Sequence, residues 1–92
     1  MSTHKLSARH QRTLYVIFTN PPIRTLEWRK IENLLIALGA VVSEGQGSRV
    51  KFEIDGLSVA FHRPHPGKNA KIYQIIDARV FLEELFHEHY AL

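Results

Sequence analysis

The dipeptide Asp55-Gly56, set between two runs of alternating apolar residues, constrains the fold of this chain more than any other feature. Asp-Gly is typical of the two-residue type I′ hairpin loop. Counting outward from such a loop, Ile54 lies opposite Leu57, and the register is fixed because a one-residue slip would expose every apolar side chain. One side of the hairpin is then apolar, with Val50, Phe52, Ile54, Leu57, Val59 and Phe61.

The polar side of this hairpin brings a cation and an imidazole together. The same counting pairs Lys51 with Ala60 and Arg49 with His62. Directly opposite residues have Cβ atoms about 4.5 to 5.5 Å apart. We therefore expect Arg49 and His62 to reach one phosphate, beside the flexible turn of residues 45–47.

The residues before the hairpin predict two helices and a strand. Ser7 is a good N-cap for a first helix over residues 7–19. Thr25 is the expected N-cap of a second helix that ends at Gly39. From residue 40 to residue 44 the sequence becomes a valine-rich strand.

The residues after the hairpin predict a basic loop, a short extended edge and a helix. Two prolines keep residues 63–67 out of helix and sheet interior. We expect residues 72–76 to form a short extended edge and Asp77 to cap a last helix that runs to about residue 89. The order α, α, β, β, β, α predicts an α+β fold, and a chain of 92 residues has room for a single domain over residues 1–92.

Trp28 has two interpretations. It lies at helical spacing with Ile31, Leu35 and Leu38, which is typical of the buried stripe of an amphipathic helix. The alternative is an aromatic platform on which a nucleic-acid base stacks. The register with three aliphatic residues favours the core.

The charge of the chain is modest in total but uneven. There are 12 Lys and Arg residues against 9 Asp and Glu residues, a formal net charge of +3. Residues 1–12 and 49–71 have an excess of cations, whereas residues 77–92 have an excess of acids. This asymmetry favours a polyanionic partner, with ordinary solvated surface as the alternative.

Two absences in the sequence narrow the class of protein. The chain has no cysteine, which excludes disulfides, thiolate chemistry and zinc sites built on Cys. No apolar run approaches the roughly 18 residues of a membrane span, and no apolar signal core follows the first residues. We expect a soluble cytoplasmic protein without a membrane partner.

The spacing of His62 and His65 is compatible with metal ligands, but Pro64 and Pro66 prevent the helix that would place both rings on one side. No third ligand of a suitable type is close in the sequence. Nucleotide-binding glycine motifs are also missing, because Gly45-Gln46-Gly47 lacks both the preceding context and the following helix that such motifs require. We therefore predict no metal and no cofactor.

The remaining polar groups are those that RNA cleavage without a metal needs. An imidazole can move the 2′-hydroxyl proton or protonate the leaving oxygen, and cations can hold the phosphate. From the residues alone, plain exposure of two histidines on a short loop is the favoured alternative. The candidates are His62, His65, Arg49, Lys51 and Lys68.

In order and spacing, these segments resemble the HicA toxins, the small ribonuclease halves of HicA-HicB toxin-antitoxin pairs. The resemblance implies a double-stranded-RNA-binding-like α-β-β-β-α core over about residues 25–90, to which residues 1–22 add an N-terminal helix. It is carried by Gly47-Ser48 at the start of a strand, the hairpin, Pro64-His65-Pro66, a lysine-bearing loop and a closing helix.

The resemblance implies a type II toxin that cleaves mRNA without a cofactor and is neutralised by a HicB-type antitoxin. His65 carries over from the matching Pro-His-Pro segment, whereas His62 is nominated by the hairpin register. We expect these two histidines to share the acid and base roles and Arg49 to stabilise the reacting phosphate. We further expect an acidic antitoxin to cover Arg49, His62 and His65 together with the lysines of the loop. The expected RNA-binding residues are Gly47, Ser48, Lys51, Arg63, Lys68 and Lys71.

One position departs from the family pattern. HicA toxins place a catalytic histidine directly after the Gly-Ser pair or one residue later, where this chain has Arg49 and Val50. Either His62 or His65 has taken over the proton transfer, or the protein binds RNA and cleaves it poorly, or the histidine was replaced to make the toxin tolerable. An RNA-binding module of the same fold is the alternative function, and a protein-interaction module without a nucleic-acid role is a third.

Overall fold

The computed structural model describes the backbone of residues 6–90 and the side chains of residues 6–87. The order of helices and strands in this part confirms the predicted α+β fold, with a double-stranded-RNA-binding-like layout behind an extra N-terminal helix. None of its helices is long and apolar enough to cross a membrane. The elements are α1 (Ala8–Ile17), α2 (Trp28–Ala37), β1 (Val41–Glu44), β2 (Arg49–Ile54), β3 (Leu57–His62) and α3 (Ile72–Tyr90).

The three strands form one antiparallel sheet in the order β1-β2-β3. β2 and β3 pair in the predicted register, with Arg49 opposite His62 at one end and Ile54 opposite Leu57 at the loop. The loop residue Asp55 has a φ of 50° and the glycine after it a φ of 86°, the left-handed backbone that a type I′ turn requires. The predicted hairpin is confirmed.

The helices pack on the apolar face of this sheet and close one hydrophobic core. The ring centroid of Trp28 lies 4.8 Å from that of Phe61 and 6.2 Å from that of Phe52. Trp28 is only 5% exposed. Its assignment to the core is confirmed, and the ring offers no free face on which a base can stack.

The predicted cap of α2 is wrong. The helix begins at Trp28 and its N-cap is Glu27, without a side-chain hydrogen bond, so Thr25 caps nothing. The residues before the helix instead pair with a later segment: Trp28 N–H donates to the Lys68 carbonyl at 2.9 Å, and Ala70 N–H donates to the Leu26 carbonyl at 2.8 Å. This pairing holds the chain extended up to the first helical residue.

The predicted start of the last helix is also wrong. Residues 72–76 form the first turns of α3 instead of an extended edge, and Asp77 lies inside the helix instead of capping it. The side chain of Gln74 accepts a hydrogen bond from Lys71 N–H at 2.9 Å and so occupies a backbone donor at the helix start. The helix continues to Tyr90, close to the predicted end.

The predicted first helix is confirmed as α1, with Ser7 accepting a hydrogen bond from His10 N–H. It packs on α2 and α3. Ile17 is fully buried in the common core. The guanidinium of Arg79 on α3 donates to the carbonyls of Ile17 and Thr19, both at 2.6 Å, and thereby satisfies acceptors at the end of α1.

Candidate functional site

The polar face of the hairpin carries cations and an imidazole in the open. Arg49, Lys51 and His62 are exposed on the side of the sheet that turns away from the helices. Arg49 lies opposite His62, and Lys51 lies opposite Ala60. Within the part of the chain that the structure describes, neither Arg49 nor Lys51 forms an ion pair. Both charges therefore remain available to an anionic ligand.

The turn before β2 supports the side chain of Arg49. Gly45 N–H donates to the Arg49 carbonyl at 2.8 Å. A Cβ atom on Gly45 would lie 3.1 Å from the Cβ of Arg49, so glycine allows the arginine stem to pack against the turn. Gly47 has a φ of 64° and completes the turn with Ser48, which brings both predicted RNA-binding residues beside Arg49.

Arg63 is the centre of an ion-pair network. Its guanidinium donates to both carboxylate oxygens of Glu32, at 3.1 and 2.7 Å, and to both of Glu44, at 2.7 and 3.0 Å. Trp28 Nε1 donates to Glu32 as well, at 2.8 Å. Hydrogen bonds to Glu44 and Glu32 hold the pKa of Arg63 above its ordinary value, and the bond from Arg63 lowers the pKa of Glu44. Arg63 is thus fixed by two carboxylates where β3 ends.

Gln74 forms hydrogen bonds at both ends of the loop of residues 63–70, which carries His65. Its Nε2 donates to the carbonyl of His62 at 2.7 Å, and its Oε1 accepts from Lys71 N–H at 2.9 Å. The residue is 1% exposed, although its side chain is polar. One buried amide therefore places the backbone of Lys71 close to the backbone of His62.

The lysine end of loop 63–70 lies against the start of α2. The carbonyl of Lys68 accepts from Trp28 N–H, and its exposed ammonium is 3.6 Å from the carboxylate of Glu27. Glu27 is closer to Arg29, at 3.0 Å, and the hydrogen bond from Arg29 is the main cause of its lowered pKa. Because this contact is long and the Lys68 side chain is exposed, its ammonium remains accessible to an anionic ligand.

His65 is exposed on loop 63–70. Within the described residues, no hydrogen bond or ion pair involves the imidazole of His65 or of His62. The structure thus joins Arg49, Lys51 and His62 on one face, links Lys71 to them through Gln74, and leaves His65 on the connecting loop. In the same part of the chain, no cluster of three or more His, Cys, Asp or Glu residues could hold a metal ion.

Two features of this region were missed by the sequence analysis. Gln74 stands three residues after Lys71, the spacing at which a glutamine reaches back to a helix start, but the more typical cap Asp77 obscured it. The pairs of Arg63 with Glu32 and Glu44 span 31 and 19 residues along the chain. No local sequence pattern predicts contacts between residues so far apart in the chain.

The structure is that of a small α+β protein with exposed cations on one face of its sheet. The profile of the HicA toxins of bacterial toxin-antitoxin pairs matches residues 28–77. This match spans more than half of the 92 residues, and the chain belongs to the HicA toxin family. The resemblance seen in the sequence is confirmed, and the family makes the chain a toxin that has a cognate antitoxin.

The match begins at the first residue of α2 and ends within α3, so α1 lies outside it. No curated protein and no solved structure matches the chain.

Proposed function

We propose that this toxin is an mRNA endoribonuclease that needs no metal, acts in the cytoplasm and is neutralised by a HicB-type antitoxin. The observation that carries the proposal is the register of β2 and β3, which sets Arg49 opposite His62 on an exposed face. An imidazole beside an unpaired guanidinium supplies a proton-transfer group and a phosphate-binding group at one place.

The proposed reaction is an internal transfer at one phosphodiester. A histidine removes the proton of the 2′-hydroxyl, and the 2′-oxygen attacks phosphorus. The bond from phosphorus to the 5′-oxygen breaks, and a second acid protonates that oxygen. The products are a 2′,3′-cyclic phosphate and a 5′-hydroxyl, and no water or cofactor is consumed. We assign the two proton transfers to His62 and His65, and the charge of the pentacovalent phosphate to Arg49.

We propose that His62 replaces the catalytic histidine that HicA toxins have after the Gly-Ser pair. Arg49 takes the place directly after Gly47-Ser48, and His62 is its cross-strand neighbour. Cross-strand neighbours have Cβ atoms about 4.5 to 5.5 Å apart, so an imidazole on β3 serves the same patch from the other strand. We therefore favour a transfer of the proton-moving role to the facing strand.

The remaining cations position the RNA backbone in this proposal. Lys51 lies on the same face as Arg49, and Lys68 and Lys71 flank the far end of loop 63–70. Phosphate contacts of this kind fix the position of the nucleic acid without reading its sequence. Because the donors of Arg63 already bind two carboxylates, we assign Arg63 to holding the loop, and its predicted contact with RNA stays a prediction.

The alternative function is an RNA-binding module that does not cleave. It is favoured by one observation: in the described residues neither imidazole has a hydrogen-bond partner that would fix its orientation. A single experiment distinguishes RNA cleavage from RNA binding without cleavage. Labelled single-stranded RNA is incubated in EDTA with the wild type and with the double variant His62→Ala/His65→Ala.

The proposal predicts fragments with cyclic phosphate ends for the wild type and intact, still bound RNA for the double variant. RNA that the wild type binds and leaves intact would establish the binding module instead. RNA that is neither bound nor cleaved would contradict both functions.

A further inference from the structure

We propose a second docking surface, in which the groove between the edge of β3 and α3 receives an extended segment of the antitoxin that carries apolar and basic residues. This surface lies away from the cations of the candidate site. The inference rests on the proposed function only in naming the antitoxin as the protein that carries this segment.

The outer edge of β3 is open to another strand. In an antiparallel pair, every second residue turns its backbone N–H and C=O away from the partner. His62 is one of these residues, because its carbonyl accepts from Gln74 instead of from β2. Counting back in steps of two, Ala60 and Ser58 also turn outward, and no strand within residues 6–90 pairs with them. Such an edge is a template for strand addition.

The groove beside this edge is lined by apolar side chains. It has a volume of about 210 Å³, and Val59, Val80 and Phe81 form its apolar part. Val80 is 56% exposed, and Tyr73 and Ile76 continue the same exposed face of α3 at helical spacing. An extended segment that pairs with β3 would place alternate side chains against this surface.

The rim of the groove specifies the charge of its occupant. Asp77 and Glu84 both line it, and neither forms an ion pair within the described residues. Two free carboxylates beside an apolar surface are complementary to lysine or arginine next to valine or leucine. They would repel an RNA backbone, which separates this groove from the cationic face around Arg49.

The same charges argue against a second copy of the chain. A symmetric contact between two β3 edges would bring the same groove from both copies together. Asp77 and Glu84 of one copy would then face those of the other, which is unfavourable. These charges therefore favour the antitoxin over a second copy as the occupant of the groove.

The first test compares two matched substitutions of exposed aliphatic residues on helices. Val80→Lys places a cation in the groove, whereas Ile36→Lys places one on α2, where the wild-type side chain is 47% exposed. The Kd of each full-length variant for the purified antitoxin is measured by calorimetry. We expect Val80→Lys to raise the Kd at least about tenfold and Ile36→Lys to leave it unchanged. Equal Kd values for the two variants would overturn the proposal.

The second test needs no substitution. Amide hydrogen exchange of Ser58 and Ala60 should slow when the wild-type toxin binds the antitoxin, because strand addition hydrogen-bonds their outward N–H groups. Unchanged exchange at both positions would overturn the strand addition. If Val80→Lys instead changes the oligomeric state of the free toxin, the occupant is a second copy and the proposal is wrong.

Failure of this inference can be told apart from failure of the proposed function. The free Val80→Lys variant should cleave RNA at the wild-type rate, because Val80 lies on α3 and is not one of the residues assigned to cleavage or RNA binding. If the wild type cleaves RNA and binds the antitoxin while Val80→Lys binds it equally well, the groove alone is refuted. A wild type that does not bind the antitoxin refutes the partner assignment itself and this inference with it.

Discussion

Among single residues, Gln74 has the most unusual environment. A glutamine that is almost completely buried is stable only because both ends of its amide are hydrogen-bonded, to the carbonyl of His62 and to Lys71 N–H. These bonds span loop 63–70. The geometry of the candidate site therefore depends on a residue that touches no substrate in the proposed mechanism and acts by positioning.

Replacing Gln74 should destabilise the protein and disturb the loop. Gln74→Met keeps the size of the side chain but removes two part-buried hydrogen bonds, to the His62 carbonyl and from Lys71 N–H. A polar group left without a partner costs about 1 to 3 kcal/mol where it is shielded from water. We expect the free energy of unfolding, measured by urea denaturation, to fall by about 2 to 4 kcal/mol. Gln11→Met, on the exposed surface of α1, should change it by less than about 0.5 kcal/mol. A loss no larger than that of the control would contradict the role given to the amide.

The ion pair of Arg63 with Glu44 should make stability depend on pH. The hydrogen bond from Arg63 lowers the pKa of Glu44 in the folded protein below its ordinary value of 4.5. A carboxylate whose pKa is lowered by folding stabilises the fold above its unfolded pKa, and this stabilisation is lost as the pH falls through its folded pKa. The Tm of the wild type should therefore exceed that of Glu44→Gln at pH 7, and the difference should shrink below pH 4.5.

The control for this pH dependence is the same substitution in an Arg63→Met background. Without the guanidinium, Glu44→Gln should have no pH-dependent effect of this kind. A Tm difference between wild type and Glu44→Gln that is equal at pH 7 and pH 3 would show that the hydrogen bond from Arg63 does not stabilise the folded protein.

Of the secondary-structure elements, α1 is the one outside the family match, yet it belongs to the core. Ile17 is fully buried, whereas Tyr15 on the same helix is 75% exposed. Ile17→Ala should lower the free energy of unfolding by about 2 to 5 kcal/mol, because it leaves a cavity. Tyr15→Ala should change it by less than about 0.5 kcal/mol. Equal, small effects of the two variants would mean that α1 is not part of the cooperative fold.

The elements differ in how far their sequences determine them. The hairpin could be predicted residue by residue, because its loop type and its alternation both require one register. The starts of α2 and α3 could not. At the start of α2, Trp28 N–H donates to the Lys68 carbonyl and Ala70 N–H donates to the Leu26 carbonyl, and the buried Gln74 accepts a hydrogen bond at the start of α3. Local capping rules favoured Thr25 and Asp77, and tertiary contacts decided otherwise.

The candidate site, too, could be predicted from the sequence only in part. The pairing of Arg49 with His62 follows from the hairpin and could be predicted. The ion pairs of Arg63 could not, because Glu32 and Glu44 come from α2 and β1 and meet only after the chain has folded. The sequence therefore indicates which groups lie on the sheet face, but not which of the cations are already neutralised.

The molecule as a whole separates its charges, with unpaired cations on the outer face of the hairpin and carboxylates along α3. If RNA lies on the hairpin face, log affinity should fall linearly with log salt concentration, with a slope of about −0.7 for each phosphate contacted. Lys51→Ala should reduce the magnitude of this slope by about 0.7. Lys30→Ala, on α2 in the helical layer, should leave it unchanged. Equal slopes for both variants would place the RNA elsewhere.

In the proposed function, the register of β2 and β3 builds an RNA-cleaving site around Arg49 and His62. Its most direct test is the single-turnover rate of cleavage of a labelled RNA in EDTA, compared between the wild type and His62→Ala. Loss of a general acid or base should lower the rate by about 10² to 10⁴ while RNA binding persists. His10→Ala on α1 is the matched control and should leave the rate unchanged. A His62→Ala variant that cleaves as fast as the His10→Ala control would contradict the account.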